Sequence, residues 1–208
     1  RAAAALGREV VYITDRFSST AMEVMAGPSA RIVEFPMADD DASKRFAQDL
    51  LSELDPSVVI AIERCGLTAG GRYRNMRGKD ISDFNARTDY LFEGHPSTVG
   101  IGDGGNEIGL GNVASAVTDV STLVKEPCVT KVTELIISSV SNWGGYGLVA
   151  AMSAREGKDL LPSVEEEKDL IRLMVDAGAV DGITSSQVYK VDGFTLEENS
   201  KTLERLHN

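Results

Sequence analysis

The sequence predicts an α/β fold: a mostly parallel open sheet with helices on both faces and a site at the carboxyl ends of the strands. Three observations carry this. Short apolar, β-branched runs recur along the chain, among them "VVYI", "VVIAI" and "TVGI", and such runs mark strands buried on both faces. Stretches of helical period alternate with them, which is the pattern of βαβ units. Polar or glycine-rich segments follow each run, and in open parallel sheets ligands bind beyond the carboxyl ends of the strands.

The elements follow in order. "RAAAALGRE" (1–9) reads as the last turns of a helix closed by Gly7. "EVVYITD" (9–15) is a strand, "RFSSTAMEVMAG" (16–27) a helix and "RIVEF" (31–35) a strand. "DASKRFAQDLLSEL" (41–54) is amphipathic, with Phe46, Leu50, Leu51 and Leu54 at helical spacing. "PSVVIAIER" (56–64) is a strand, and residues 64–85 form a long loop without a clean period. "ARTDYLFEG" (86–94) is a short helix, "STVGIGDGG" (97–105) a strand and "NEIGLGNVASAVTDV" (106–120) a helix. "VTELIISSVS" (132–141) is a strand and "NWGGYGLVAAMSAREG" (142–157) a helix. "SVEEEKDLIRLMVDAG" (163–178) carries Ser163 as N-cap and acids in its first turn. A loop, a short strand and a terminal helix from about Thr195 close the chain. The expected organisation is one α/β domain over 1–208, with 158–208 as a helical extension packed on it. Opening on a helix is unusual for a βαβ unit, so a further strand is expected ahead of residue 1.

With 208 residues and 42% hydrophobic content, the chain can bury a sizeable core. A net charge of -11 argues against nucleic acid as a partner. No apolar run approaches the ~20 residues that span a bilayer, so no membrane partner is expected. Two cysteines, Cys65 and Cys128, fit reduced thiols better than a disulfide scaffold. Two histidines leave little room for a His-rich metal site.

The polar residues after the strands converge on four places: Thr14-Asp15-Arg16, Glu63-Arg64, Gly102 to Glu107, and Ser141 to Gly145. Glu63 directly ends an apolar strand, where a carboxylate needs a partner or a task. A local pair with Arg64 or another cation and a role in a site are both compatible with that position. "GIGDGGNEIGLGN" (100–112) concentrates six glycines around Asp103 and Glu107. Gly100, Gly102 and Gly105 match a phosphate cradle in spacing, but two carboxylates oppose an anion there. Asp103, Asn106 and Glu107 offer hard oxygen ligands for Mg²⁺, Mn²⁺ or an ammonium group. Alternatively, Asp103 caps a helix and Glu107 compensates its dipole. Six glycines exceed what a cap requires, which favours a site. "GGRYRNMRGKDIS" places Arg72, Arg74, Arg77 and Lys79 within eight residues, either as a solvated loop or as a basic lid over an anionic substrate.

"AIER" (61–64), "NMRG" (75–78), "GIGDGGNEIGLGNV" (100–113) and "SNWGGYGL" (141–148), in this order, resemble the D-glutamate cyclase family over roughly Ala2 to Ala154. The resemblance implies a hydro-lyase that converts D-glutamate to 5-oxo-D-proline and water. It also implies a cytoplasmic location in a bacterium, or the mitochondrial matrix in a eukaryote. The chemistry of that reaction suggests roles. Glu63 or Asp103 takes the proton of the attacking amine. Asp103 and Glu107, through a divalent ion such as Mg²⁺ or Mn²⁺, organise the γ-carboxyl end. Arg64 or Arg77 holds the α-carboxylate. Asn106 and Asn142 orient the substrate, Trp143 walls it, and Asn75, Gly104 and Gly105 complete the substrate-binding set. No other cofactor is expected, and the sequence is compatible with an oligomer. Two other classes fit the same residues. One is a non-catalytic binding module for an acidic metabolite or nucleotide. The other is a metal-dependent phosphate-ester hydrolase, suggested by Asp103, Glu107 and the acidic "DDD" at 39–41, although that run also reads as a helix N-terminal charge cluster.

Overall fold

The apolar runs become strands and the amphipathic stretches become helices, as expected for an α/β protein. The computed structural model describes residues 1–207. Two short elements, α1 (Ala2–Ala5) and β1 (Val11–Thr14), precede α2 (Ser19–Ala26) and β2 (Arg31–Glu34). Then come α3 (Asp40–Leu54), β3 (Val59–Ile62), α4 (Asp89–Glu93) and β4 (Thr98–Gly102). The series continues with α5 (Ala114–Asp119), β5 (Glu134–Ile137), α6 (Ser141–Glu156) and α7 (Val164–Asp176). A small antiparallel pair, β6 (Lys190–Val191) and β7 (Phe194–Thr195), leads into α8 (Leu196–His207). The sheets are open: β1 pairs with β2, and β3, β4 and β5 form a three-stranded ladder in that order.

The chain divides into two compact units. One comprises residues 1–14, 18–33 and 145 onward. There α7 packs against α2 and α8. Ser163 and Glu166 form a reciprocal capping box at the start of α7, as its first-turn acids lead one to expect. Ile171, Val175, Leu196 and Leu203 fill this interior. Between them lies a buried polar group, in which Tyr146 donates its hydroxyl to Glu167 Oε1 and accepts from Asn199 Nδ2 at 3.3 Å.

The other unit comprises 15–17 and 34–144 and carries the parallel ladder. β3 and β4 pair in parallel with Ala61 opposite Gly100, and β4 and β5 with Gly100 opposite Leu135. Ile101 and Ile108 are fully buried, and Phe35 packs edge-on against Phe46 of α3 with ring centroids 4.9 Å apart. The "DDD" run is accounted for at the start of α3: Asp39 Oδ1 accepts from the Ala42 amide at 2.8 Å, and Asp40 and Asp41 occupy the first turn. This is the charge cluster that a helix N-terminus favours.

One expected element starts late. The sequence predicts a helix from 106, but Glu107 sits in a β-bridge, Ile108 and Gly109 form a turn, a 3₁₀ turn covers Leu110–Val113, and α5 begins only at Ala114. The reason is tertiary. Gly66 donates to the Asn106 carbonyl and Ile108 donates to the Arg64 carbonyl, both at 2.8 Å. The "NEI" segment is therefore laced antiparallel to "RCG". Gly109 and Gly111 supply the weak helix propensity that lets this pairing win.

Candidate active site

Because β3, β4 and β5 run parallel, their carboxyl ends lie along one edge of the ladder. Glu63 follows β3, Asp103 follows β4, and Ser141 opens α6 four residues after β5. Glu63 adopts a left-handed backbone, φ 54°, which is uncommon for a residue other than glycine. Its amide donates to the Ile101 carbonyl at 3.0 Å, fixing the turn out of the strand.

The glycine loop then folds back on itself. Gly105 takes φ 101°, and a Cβ there would lie 2.5 Å from Val117. Its carbonyl accepts from the Cys128 amide at 2.8 Å. Glu107 is fully buried and clamps the turn: Oε1 accepts from the Gly104 amide at 3.1 Å and Oε2 from the Gly105 amide at 2.9 Å. At Gly102 a Cβ would come within 3.0 Å of Glu107 Oε2, so glycine is what allows the carboxylate to close on the strand end. Glu107 is thus no helix-dipole partner, and Asp103 does not cap the helix that follows it in sequence but accepts from the first amide of α6.

One carboxylate oxygen from each of Glu63, Asp103 and Glu107 lies within 4.8 Å of the others. Ser141, 1% exposed, ties two of them together. Its amide donates to Asp103 Oδ2 at 2.9 Å, and its hydroxyl donates to Glu63 Oε2 while standing 3.3 Å from Asp103 Oδ2. Burial pushes the Asp103 carboxyl above the usual carboxylate range against the pull of the Ser141 bonds. Burial pushes Glu107 up too, the charge of Asp103 adds to this, and the backbone amides of the loop pull it back. Two carboxylates so close share a proton or a cation more readily than they both stay bare. The donor set, three hard oxygen ligands of converging geometry, suits Mg²⁺ or Mn²⁺.

The cations expected near this site are placed differently from one another. Arg64 Nη2 pairs with buried Asp15 Oδ2 at 2.6 Å and donates to the Ala86 carbonyl at 3.2 Å, so the charge of this arginine is balanced by Asp15. Asn75 Oδ1 accepts from the amides of Arg77 and Lys79 at 3.0 Å each, folding "NMRG" into a tight turn. Met76 of this turn packs directly on Gly104, which brings the Arg77 turn against the glycine loop, with Arg77 itself exposed. Asn106 is 9% exposed and its Oδ1 has no hydrogen-bond partner among the described residues. Asn142 and Trp143 are half-buried in the first turn of α6.

The 64–85 loop is knitted rather than loose. Tyr73 is 1% exposed and donates to Asp89 Oδ2 at 2.6 Å, and Asp89 also accepts from the Leu67 amide at 2.9 Å and Thr130 Oγ1 at 2.5 Å. Arg74 pairs with Glu126 at 2.9 Å and Arg72 with Asp80 at 3.6 Å. Both cysteines are free and buried, and burial raises the Cys65 thiol to about 11 and the Cys128 thiol to about 12. They are therefore protonated and unreactive at neutral pH.

Sequence reasoning placed Asp15 and Ser141 among the residues that follow strands without giving either a role, and it missed Asp89 as a contributor to this region. Ser141 was visible as the residue after a strand run, but a serine at a strand-to-helix junction is the ordinary cap residue.

In an open α/β sheet the carboxyl ends of the strands are where ligands bind, and this is where the three acids gather. The family model described as "D-glutamate cyclase-like, C-terminal" matches residues 1–207, and the chain belongs to that family. It is also similar to the mitochondrial D-glutamate cyclase of Homo sapiens, 31% identical over 169 residues, covering 65% of this chain and 27% of that protein. The chain thus spans about a quarter of the length of this relative. Among the described residues, no helix is long and apolar enough to cross a membrane.

Proposed function

We propose that the chain catalyses the intramolecular dehydration of D-glutamate to 5-oxo-D-proline. The observation that carries this reading is the convergence of Glu63, Asp103 and Glu107 oxygens within 4.8 Å at one sheet edge. Family membership narrows the chemistry to which those acids are applied.

The reaction joins the α-nitrogen to the γ-carbon and breaks one γ-C–O bond. Of the three protons on the α-ammonium group, one stays on the lactam nitrogen and two leave with the departing oxygen as water. The amine must lose a proton before it attacks, and Glu63, the exposed member of the acid trio, is the base within substrate reach. The γ-carboxylate must be neutralised and its departing oxygen protonated. A dicarboxylate beside three acids also needs positive charge. In this proposal Asp103 and Glu107, the two buried acids, would hold a divalent ion, Mg²⁺ or Mn²⁺, which when bound supplies that charge, while Glu63 passes the protons it takes from the amine to the departing oxygen. Arg77, on the turn that Met76 seats against Gly104, is assigned the α-carboxylate in preference to Arg64, which Asp15 neutralises. Asn106 Oδ1 accepts from the substrate amine, and Asn142 and Trp143 line its side.

The test is 5-oxo-D-proline formation from D-glutamate, followed by chiral chromatography with EDTA, Mg²⁺ or Mn²⁺. The chain is expected to turn over, and Glu63→Gln and Asp103→Asn are expected to lose about 10²-fold or more in kcat. Parent-rate cyclisation by both variants would overturn the assignment. Thermal stabilisation by D-glutamate with no product under any of these conditions would replace the enzyme by a binding module.

A further inference from the structure

We propose that Ser141 is the positioning residue of this site: it fixes the Glu63 carboxylate to Asp103, so that base and acid pair are held together before substrate arrives. The proposal rests on the reading of Glu63 and Asp103 as the acids of the reacting centre. It adds a residue that carries no acid or cation itself.

Three features support it. The first is the division of donors. Ser141 has one amide hydrogen and one hydroxyl hydrogen; the amide goes to Asp103 Oδ2 at 2.9 Å and the hydroxyl to Glu63 Oε2. Both acids are thereby referred to one residue that is itself 1% exposed and cannot drift. The second is the separation in sequence. Glu63, Asp103 and Ser141 end or follow three different strands, and Ser141 bonds to both acids. Strand registry alone sets backbone positions, whereas a glutamate has three side-chain torsions to settle. The third is Glu63 itself. It is solvent-exposed and its backbone sits at φ 54°, and the buried Ser141 hydroxyl is bonded to its carboxylate.

The geometry predicts which part of catalysis suffers. Substrate affinity draws on groups elsewhere in the site, and misplacing a reacting group by about 1 Å costs on the order of 10²-fold in rate. Ser141→Ala keeps the backbone amide to Asp103 and removes only the hydroxyl. Its kcat for D-glutamate is expected to fall about 10- to 100-fold with KM within about twofold and an unchanged thermal midpoint. Ser141→Cys, nearly the same shape but a weak donor, is expected to behave like the alanine variant and serves if that one folds poorly. In a Glu63→Gln background, Ser141→Ala should add less than about twofold, because residues acting as one unit are not additive. Crystal structures of the parent and Ser141→Ala give a readout that needs no turnover: the Glu63 carboxylate should leave the neighbourhood of Asp103 in the variant. Parent-like kcat in both Ser141 variants, a full additive loss in the Glu63→Gln background, or a Glu63 carboxylate that stays in place would each overturn the proposal. If the parent forms no 5-oxo-D-proline, the functional reading fails on its own, and the pair of crystal structures still decides whether Ser141 holds Glu63.

Discussion

A carboxylate at a strand end was legible in the sequence; the backbone conformation that aims it was not. Glu63 stands at φ 54°, where a Cβ crowds its own carbonyl and glycine does not. Strain of this kind persists where the surroundings over-determine it, and it clusters at functional sites. It also makes a prediction that separates backbone from side chain. Glu63→Ala and Glu63→Gly both remove the carboxylate and should both lose cyclase activity. In urea unfolding the glycine variant should nevertheless be the more stable, by about 1 kcal/mol, because it alone relieves the left-handed strain. Equal stability would mean that Glu63 relaxes in solution. Arg64 teaches the converse lesson. Its charge and position next to Glu63 suggested a substrate clamp, but its partner, Asp15, is 49 positions away and no local pattern announces it.

At the scale of elements, periodicity served where a segment answers only to its own face. The amphipathic α3, the capped α7 and the apolar β3, β4 and β5 lie where the sequence places them, within a few residues. It failed at 106–113, where pairing with residues 64–66 overrides local helix preference. The glycines show the same division. A Cβ on Gly100 would lie 2.5 Å from the Ile108 carbonyl oxygen and 2.9 Å from Gly109 Cα, both backbone atoms that cannot step aside. Gly100→Ala should therefore cost roughly 2–4 kcal/mol in chemical unfolding. Gly147, inside α6, has nothing within 4 Å of its would-be Cβ, and Gly147→Ala should add up to about 1 kcal/mol. The packing of α7 gives a pH-dependent case. Glu167 is 9% exposed and burial raises its carboxyl above 4.5. An acid raised in the folded state favours folding below its ordinary value, and that contribution is lost as pH rises through the raised value. Glu167→Gln, whose amide oxygen can still accept from Tyr146, should thus be the more stable protein at pH 7 in urea unfolding. The gain should vanish as pH falls toward 4.5. A gain independent of pH would mean that the Glu167 carboxyl titrates alike in the folded and unfolded states.

For the whole molecule, the question is where a divalent ion would be felt. With a net charge of -11, the chain attracts cations diffusely, so stabilisation by Mn²⁺ alone would say little. Location discriminates. Glu63, Asp103, Glu107 and Ser141 all belong to the unit of residues 34–144, whereas α7 and α8 belong to the other. A ligand at 100 times its Kd stabilises what it binds by about 2.7 kcal/mol, or roughly a hundredfold in the opening equilibrium. Hydrogen exchange should therefore slow about a hundredfold at the amides that lace the glycine loop, those of Gly66, Gly104, Gly105, Ile108 and Cys128. Residues 164–207 should exchange as before. The sign of the pH effect follows from Asp103 and Glu107. Their carboxyls are raised by burial, so protons compete with the ion over a range above ordinary carboxylate values, and the slowing should shrink as pH falls. Uniform slowing along the chain, or slowing that survives in a Glu63→Gln/Asp103→Asn protein, would mean that the ion is held by the acidic surface and that the trio works by protons alone.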